Sequence, residues 1–160
     1  MASIDFLKGN FGIEIEMTGI TRAKAAKTVA DQLRGTVEKL YDSYDTHNVI
    51  AQDGRVWKIV SDGSIVTQKK VNGEKVPADR TYSIELVSPI LTYEEDINTV
   101  QEIVRKLRKA GAFSEAKNKT GVHIHLDGKD HTPRSLRNFV NIIYSRNDLL
   151  YDSLQVEETR

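Results

Sequence analysis

Residues 11 to 17, FGIEIEM, alternate without interruption, with Ile13 and Ile15 on one side of an extended chain and Glu14 and Glu16 on the other. Successive side chains of a strand point to opposite faces, so this stretch predicts a half-buried strand. The pattern then changes. TRAKAAKTVADQLRG is Ala-rich and helical in character, with Thr18 or Thr21 as the N-cap and Gly35 as the stop. Strand character returns in TVEKLYDSY and in HNVIAQDGRVWKIV, where Asp53-Gly54 marks a hairpin turn between Ile50 and Val56. A second hairpin signal, Asn72-Gly73, sits inside GSIVTQKKVNGEKV, and TYSIELVSPIL reads as a strand ending near Pro89.

From residue 93 the period lengthens. YEEDINTVQEIVRKLRKA carries Ile97, Val100, Ile103, Val104 and Leu107 at helical spacing, opens with acids, closes with bases and stops at Gly111. That charge order is the one the helix dipole favours. TGVHIHLDG is again a strand. TPRSLRNFVNIIYSRNDLLYDSL predicts one long helix with Thr132 as N-cap and Pro133 in its first turn. Hairpins dominate the connections, so the expected class is α+β: a largely antiparallel sheet with helices packed on one face. A chain of 160 residues is most simply one domain, and residues 1–160 are read as such.

Composition narrows the chemistry by exclusion. There are no cysteines, which removes disulfides and thiolate metal sites. Lys plus Arg equals Asp plus Glu, so no overall basic charge points to nucleic acid. No apolar run approaches the ~18 residues of a membrane span, and MASIDFLKGNFG has no apolar core of a secretory signal.

The polar side of the expected sheet is more informative. Glu14 and Glu16 share a face, Glu85 lies opposite Ile84 and Leu86, and His123 and His125 lie opposite Ile124 and Leu126. Asp62 and Ser64 follow the Trp57 strand in SDGS. Each feature alone is ordinary: E-x-E and H-x-H occur on solvated strand faces, and Asp-Gly-Ser is a turn signature. Together, with helices on the apolar side, they would converge. Clustered carboxylates repel one another and either take up protons or bind cations. Carboxylate oxygens with an imidazole suit Mg²⁺-assisted phosphoryl transfer better than structural zinc. His47 and His131 read as surface residues, and Trp57, Tyr82 and Phe113 as packing residues.

The ordered set FGIEIEM, VWKIVSDGSI, YSIELVSPIL and TGVHIHLD resembles the amidoligases, carboxylate–amine ligases related to glutamine synthetase and glutamate–cysteine ligase. The family pattern F-G-x-E-x-E, W-x-x-x-x-D-x-S, E-x-V-S-P, G-x-H-x-H is matched in order between residues 11 and 127. The resemblance implies a glutamine-synthetase-like sheet whose concave face holds ATP and Mg²⁺, with Mn²⁺ as an alternative. It implies that a substrate carboxylate is activated as an acyl phosphate and captured by an amine. Carried over residue by residue, Glu14, Glu16, Glu85 and His123 would be metal ligands. His123, His125 and Ser64 would contact the nucleotide, and Asp62, Ser64 and His125 would serve catalysis. The imidazoles would face the metals while Val122, Ile124 and Leu126 face the core.

The expected partners are a small-molecule or peptide carboxylate and an amine acceptor, with no nucleic acid or membrane, and the expected location is cytoplasmic. Family members continue past the H-x-H strand and its helix, whereas this chain closes on LQVEETR. Residues 1–160 are therefore read as the N-terminal part of a longer, here truncated, catalytic domain. Two other classes fit the same residues: a metal-dependent hydrolase that uses the Glu/His face without ATP, and a non-catalytic ligase-like module.

Overall fold

The computed structural model describes residues 9–154; the closing residues, on which the reading of a truncated domain rests, lie outside them. Packing falls into two compact units, Met1–Leu126 and Asp127–Arg160. The first contains β1 (Asn10–Met17), α1 (Arg22–Leu33), β2 (Thr36–Lys39), β3 (His47–Ile50), β4 (Val56–Val60), β5 (Gln68–Val71) and β6 (Glu74–Pro77). It continues through β7 (Ile84–Val87), β8 (Leu91–Thr92), α2 (Tyr93–Ala110) and β9 (Val122–Leu126). The second holds α3 (Pro133–Ser145) and α4 (Asn147–Leu154).

Every pairing in the main sheet is antiparallel, in the order β2-β3-β4-β7-β1, with β9 also on β1. Glu14 and Ile15 pair with both β7 and β9, so these two strands occupy opposite edges of β1. β8 continues on the β7 edge beyond Ser88–Ile90. β5 and β6 form a separate hairpin whose turn residues, Asn72 and Gly73, both have positive φ, 51° and 86°. The α+β class and the antiparallel sheet are as the alternation and the turn dipeptides predict.

One face of the sheet is covered. Met17, Trp57, Ile59, Ile84 and Leu86 are buried beneath Ala25, Ala26, Val29 and Ala30 of α1 and Val100, Ile103 and Leu107 of α2. The small residues of α1 let that helix lie close to both the sheet and α2. Thr21, not Thr18, caps α1 by accepting from the Lys24 N–H. Thr18 is buried and exchanges two 2.9 Å hydrogen bonds with the main chain of Gln68, which fixes the base of the β5–β6 hairpin.

Three expectations need correction. His47 is buried, not a surface residue: β3 alternates so that His47 and Val49 face the helices opposite Ile59 and Trp57, with His47 Nδ1 3.0 Å from the Asp45 carbonyl. Val122, Ile124 and Leu126 do lie on the helix-side face, opposite Ile15, Ile13 and Phe11, but are 55, 64 and 73% exposed. β9 sits on the edge of β1 away from the strands that α1 packs on, so side does not guarantee cover. The single long helix after Thr132 is two helices. Ser145 donates its hydroxyl back to Ile142, Arg146 leaves helical geometry at φ −122° and ψ 17°, and α4 starts at Asn147. At the start of α3, Thr132 and Ser135 form a reciprocal capping box with Pro133 behind it.

Gly35 stops α1 as expected and does more besides. Arg34 takes the left-handed conformation that ends α1, and the Gly35 N–H caps the Ala30 carbonyl at 2.9 Å. A Cβ on residue 35 would meet the Ile50 carbonyl oxygen at 2.2 Å, just where β2 begins to pair with β3. Gly35→Ala is therefore expected to destabilise the chain by about 3 kcal/mol in urea unfolding, because both partners in the clash are backbone.

Arg22, the first residue of α1, is 3% exposed and donates from Nε and Nη2 to Asp45 and from Nη1 to the carbonyls of Arg80 and Ser83. The Arg22 guanidinium, with Lys39 helping, holds the Asp45 carboxyl down at about 2 against its ordinary 3.8. A depressed carboxyl stabilises the fold fully above its unfolded value and loses that contribution as pH falls through the folded one. Asp45→Asn is expected to cost about 1–2 kcal/mol at neutral pH, with solvent screening at this partly exposed carboxylate limiting the effect. The difference from wild type should close between pH 3.8 and about 2 in pH-dependent urea unfolding.

Candidate functional site

The uncovered face is built by register. Glu16 is paired with Glu85, which is paired in turn with Val60; one rung along, Glu14 is paired with His123. His125 follows opposite Gly12. Paired residues share a face with Cβ atoms ~5 Å apart, so two rungs bring three carboxylates and an imidazole together without any help from loops. Asp62 joins from the turn after β4.

Single ligand atoms of Glu14, Glu85 and His123 lie within 4.8 Å of one another, and so do those of Glu16, Asp62 and Glu85. Glu85 belongs to both groups. Glu14 is gripped by the two histidines, with His123 Nδ1 3.2 Å from Oε2 and His125 Nε2 3.2 Å from Oε1. Glu16 is 3% exposed, and its Oε2 accepts the Gly121 N–H at 2.8 Å. Its main chain is fixed as well: the Glu16 N–H donates to the Gly121 carbonyl, and the Ser114 hydroxyl donates to the Glu16 carbonyl.

The electrostatics separate the carboxyls. Burial pushes the Glu85 carboxyl above its ordinary value, and the charges of Glu14, Asp62 and Glu16 push the same way. Burial also works to raise Glu14, but the hydrogen bonds from His123 and His125 outweigh it and Glu14 ends below its ordinary value. A face that holds repelling carboxylates with ligand atoms within 4.8 Å has the donor set of a hard divalent cation: several carboxylate oxygens, one imidazole nitrogen and no sulfur. The residues present fit such an ion.

Of the residues named from the sequence, Glu14, Glu16, Glu85, Asp62 and His123 are thus brought together, and His125 reaches the group through Glu14. Ser64 is exposed on the Asp62 turn, and the bond it makes is from its N–H to Asp62 Oδ1, 2.6 Å. Three residues escaped sequence reasoning. Gly121 holds the Glu16 carboxylate. Ser88 accepts the Ile13 N–H at 2.9 Å where β7 gives way to β8. Ser83, 1% exposed, hydrogen-bonds to the main chain of Asp62. Ser83 carried a signal, since it stands two residues before Glu85 and therefore on the same face; Ser88 and Gly121 are fixed positions of the E-x-V-S-P and G-x-H-x-H patterns, but their bonding roles join segments far apart in sequence.

No helix among the described residues is long and apolar enough to cross a membrane. No curated protein and no solved structure matches the chain. The family model described as "Putative amidoligase enzyme" matches residues 8–160, a span that includes all of the Glu, Asp and His residues above. The chain belongs to this amidoligase family, whose name denotes a ligase-type function.

Proposed function

We propose that the open face is the catalytic face of an ATP- and Mg²⁺-dependent carboxylate–amine ligase, able to use Mn²⁺, on a sheet of the glutamine-synthetase type. The observation that carries the reading is the pair of three-residue ligand groups that share Glu85; membership of the family supports it. In this reading a carboxylate oxygen of the substrate attacks the γ-phosphorus of ATP and ADP leaves. The amine then displaces phosphate from the acyl phosphate, giving up a proton as the amide forms. Bound divalent cations would supply neutralisation of the phosphate oxygens during the transfer.

The chain's own residues divide the work. Glu14, Glu16, Glu85 and Asp62 offer oxygen ligands, and His123 offers nitrogen or an N–H to a phosphate oxygen. His125, the more exposed imidazole, takes the proton released by the amine, while Ser64 lines the rim beside Asp62. Ligands on adjacent strands keep the small positional error that in-line transfer demands. The substrates are a small molecule or peptide bearing a carboxylate and an amine acceptor.

Thermal unfolding with Mg²⁺, ATP and both tests the proposal. Stabilisation of about 2.7 kcal/mol is expected when both are present at ~100 times their dissociation constants, and none in the Glu14→Gln/Glu16→Gln variant. Turnover of a substrate without nucleotide, or an unchanged midpoint with both ligands, would defeat the ligase reading.

Glu85→Gln makes a separate prediction. A carboxyl raised in the fold binds its proton more tightly there than in the unfolded chain, so its penalty appears as pH rises past the ordinary 4.5. Without metal at neutral pH, the variant is expected to melt roughly 2–4 °C higher than wild type. That advantage should shrink as pH falls through the raised Glu85 value toward 4.5 and be gone below it, and the variant should lose the response to Mg²⁺ and ATP.

A further inference from the structure

Four of the five clustered residues owe their positions to strand pairing. Asp62 does not: it lies two residues beyond the end of β4, in a turn. A carboxylate on a turn has no register to hold it, yet Asp62 stands within 4.8 Å of Glu16 and Glu85 with the rest of its group. Something outside the sheet pattern has to fix it.

The Ser83 hydroxyl meets that need from both sides. It accepts the Asp62 N–H at 3.0 Å and donates to the Asp62 carbonyl at 2.5 Å, so one oxygen engages both main-chain polar groups of the residue. Ser83 precedes β7, two residues before Glu85, and is 1% exposed. The same short segment therefore supplies one ligand and anchors another. Ser83 is itself held, because its carbonyl accepts Arg22 Nη1 at 2.8 Å and Arg22 is locked to Asp45 and to the Arg80 carbonyl. The neighbouring Ser61 is tied to the same corner by Arg80 Nε at 3.0 Å. The Ser64 N–H, bonded to Oδ1, then orients the Asp62 side chain.

We infer that Ser83, braced by Arg22, is the positioning residue that places Asp62 in the cation site and so completes the Glu16–Asp62–Glu85 group. The inference rests on the reading of the acidic face as a metal site. Groups that orient a metal ligand typically contribute 10–100-fold in affinity. Loss of the Ser83 hydroxyl should act through Asp62 and leave the strand-borne Glu14–Glu85–His123 group intact.

The test is Mn²⁺ titration of the full chain, followed by the loss of the free-ion paramagnetic signal, in wild type, Ser83→Ala, Ser83→Thr, Asp62→Asn and the Ser83→Ala/Asp62→Asn pair. Far-UV circular dichroism and thermal melts run alongside. Ser83→Ala is expected to weaken Mn²⁺ binding by roughly 10–100-fold, as Asp62→Asn does. The double variant should be no weaker than Asp62→Asn alone, and Ser83→Thr, which keeps the hydroxyl, should recover most of the affinity. A merely structural serine would lower the melting point equally in both backgrounds without that non-additivity. Unchanged affinity in a folded Ser83→Ala, or full additivity with Asp62→Asn, overturns the inference while leaving the metal site standing. If Ser83→Ala does not fold, Ser83→Thr decides: Mn²⁺ affinity as poor as that of Asp62→Asn overturns the inference. Absence of Mn²⁺ binding in wild type overturns both readings.

Discussion

β1 is hydrogen-bonded along both edges, to β7 and β8 on one side and to β9 on the other, and its register on each edge decides what the open face contains. Because strand side chains alternate with period two, a slip of one residue would turn the carboxylates of Glu14 and Glu16 toward the helices and Ile13, Ile15 and Met17 toward solvent. The helix-covered face forbids that. Burying Met17, Ile84 and Leu86 against α1 and α2 therefore specifies the register, and the same register sets Glu16 beside Glu85 and Glu14 beside His123. The core and the candidate site are two sides of one constraint. A sheet locked by apolar packing can hold like charges together on its other face because separating them would mean dismantling the core.

That arrangement stores repulsion. Glu85 is raised by burial and by three neighbouring carboxylates, while Glu14 is relieved by two imidazoles. Two acidic groups a rung apart are thus driven in opposite directions, which is the circumstance in which carboxylates take different roles. The cost is borne by the rest of the fold, as sites that work by holding unfavourable groups in place commonly require.

Much of this was legible in the sequence. Strict alternation put Glu14, Glu16, Glu85, His123 and His125 opposite apolar partners, and Asp53-Gly54 and Asn72-Gly73 announced antiparallel hairpins. What local pattern does not contain is the bond between distant segments. Neither the hold of Gly121 on Glu16 nor the hold of Ser83 on Asp62 leaves a periodic trace. The burial of His47 is hidden for a different reason: four-residue β3 offers too short an alternation to reveal which face is covered. The opposite error occurred at β9, where alternation gave the correct side but not the exposure. At Arg146 the helical period of the apolar residues runs on through a break made by backbone and Ser145 hydrogen bonding.

Burial is graded across the open face. Glu16 is 3% exposed, the Glu14 side chain 26%, His123 49% and His125 64%. Electrostatic interactions are screened least where water is least accessible, so uncompensated charge costs most at the Glu16–Asp62–Glu85 end and least at the histidines. On the proposed reading, the buried end is where a cation gains most from the carboxylates, and the exposed end is where an incoming anionic group meets solvent-facing imidazoles. The gradient also explains why the two ends are supported differently. His123 and His125 are exposed on β9, whose strand partner among the described residues is β1, and are held by that pairing and by Glu14. Glu16 and Asp62, at the end where a misplaced charge is hardest to tolerate, are each fixed by hydrogen bonds to their own main chain from Gly121, Ser114 and Ser83. Positional precision is concentrated where the dielectric makes position matter most.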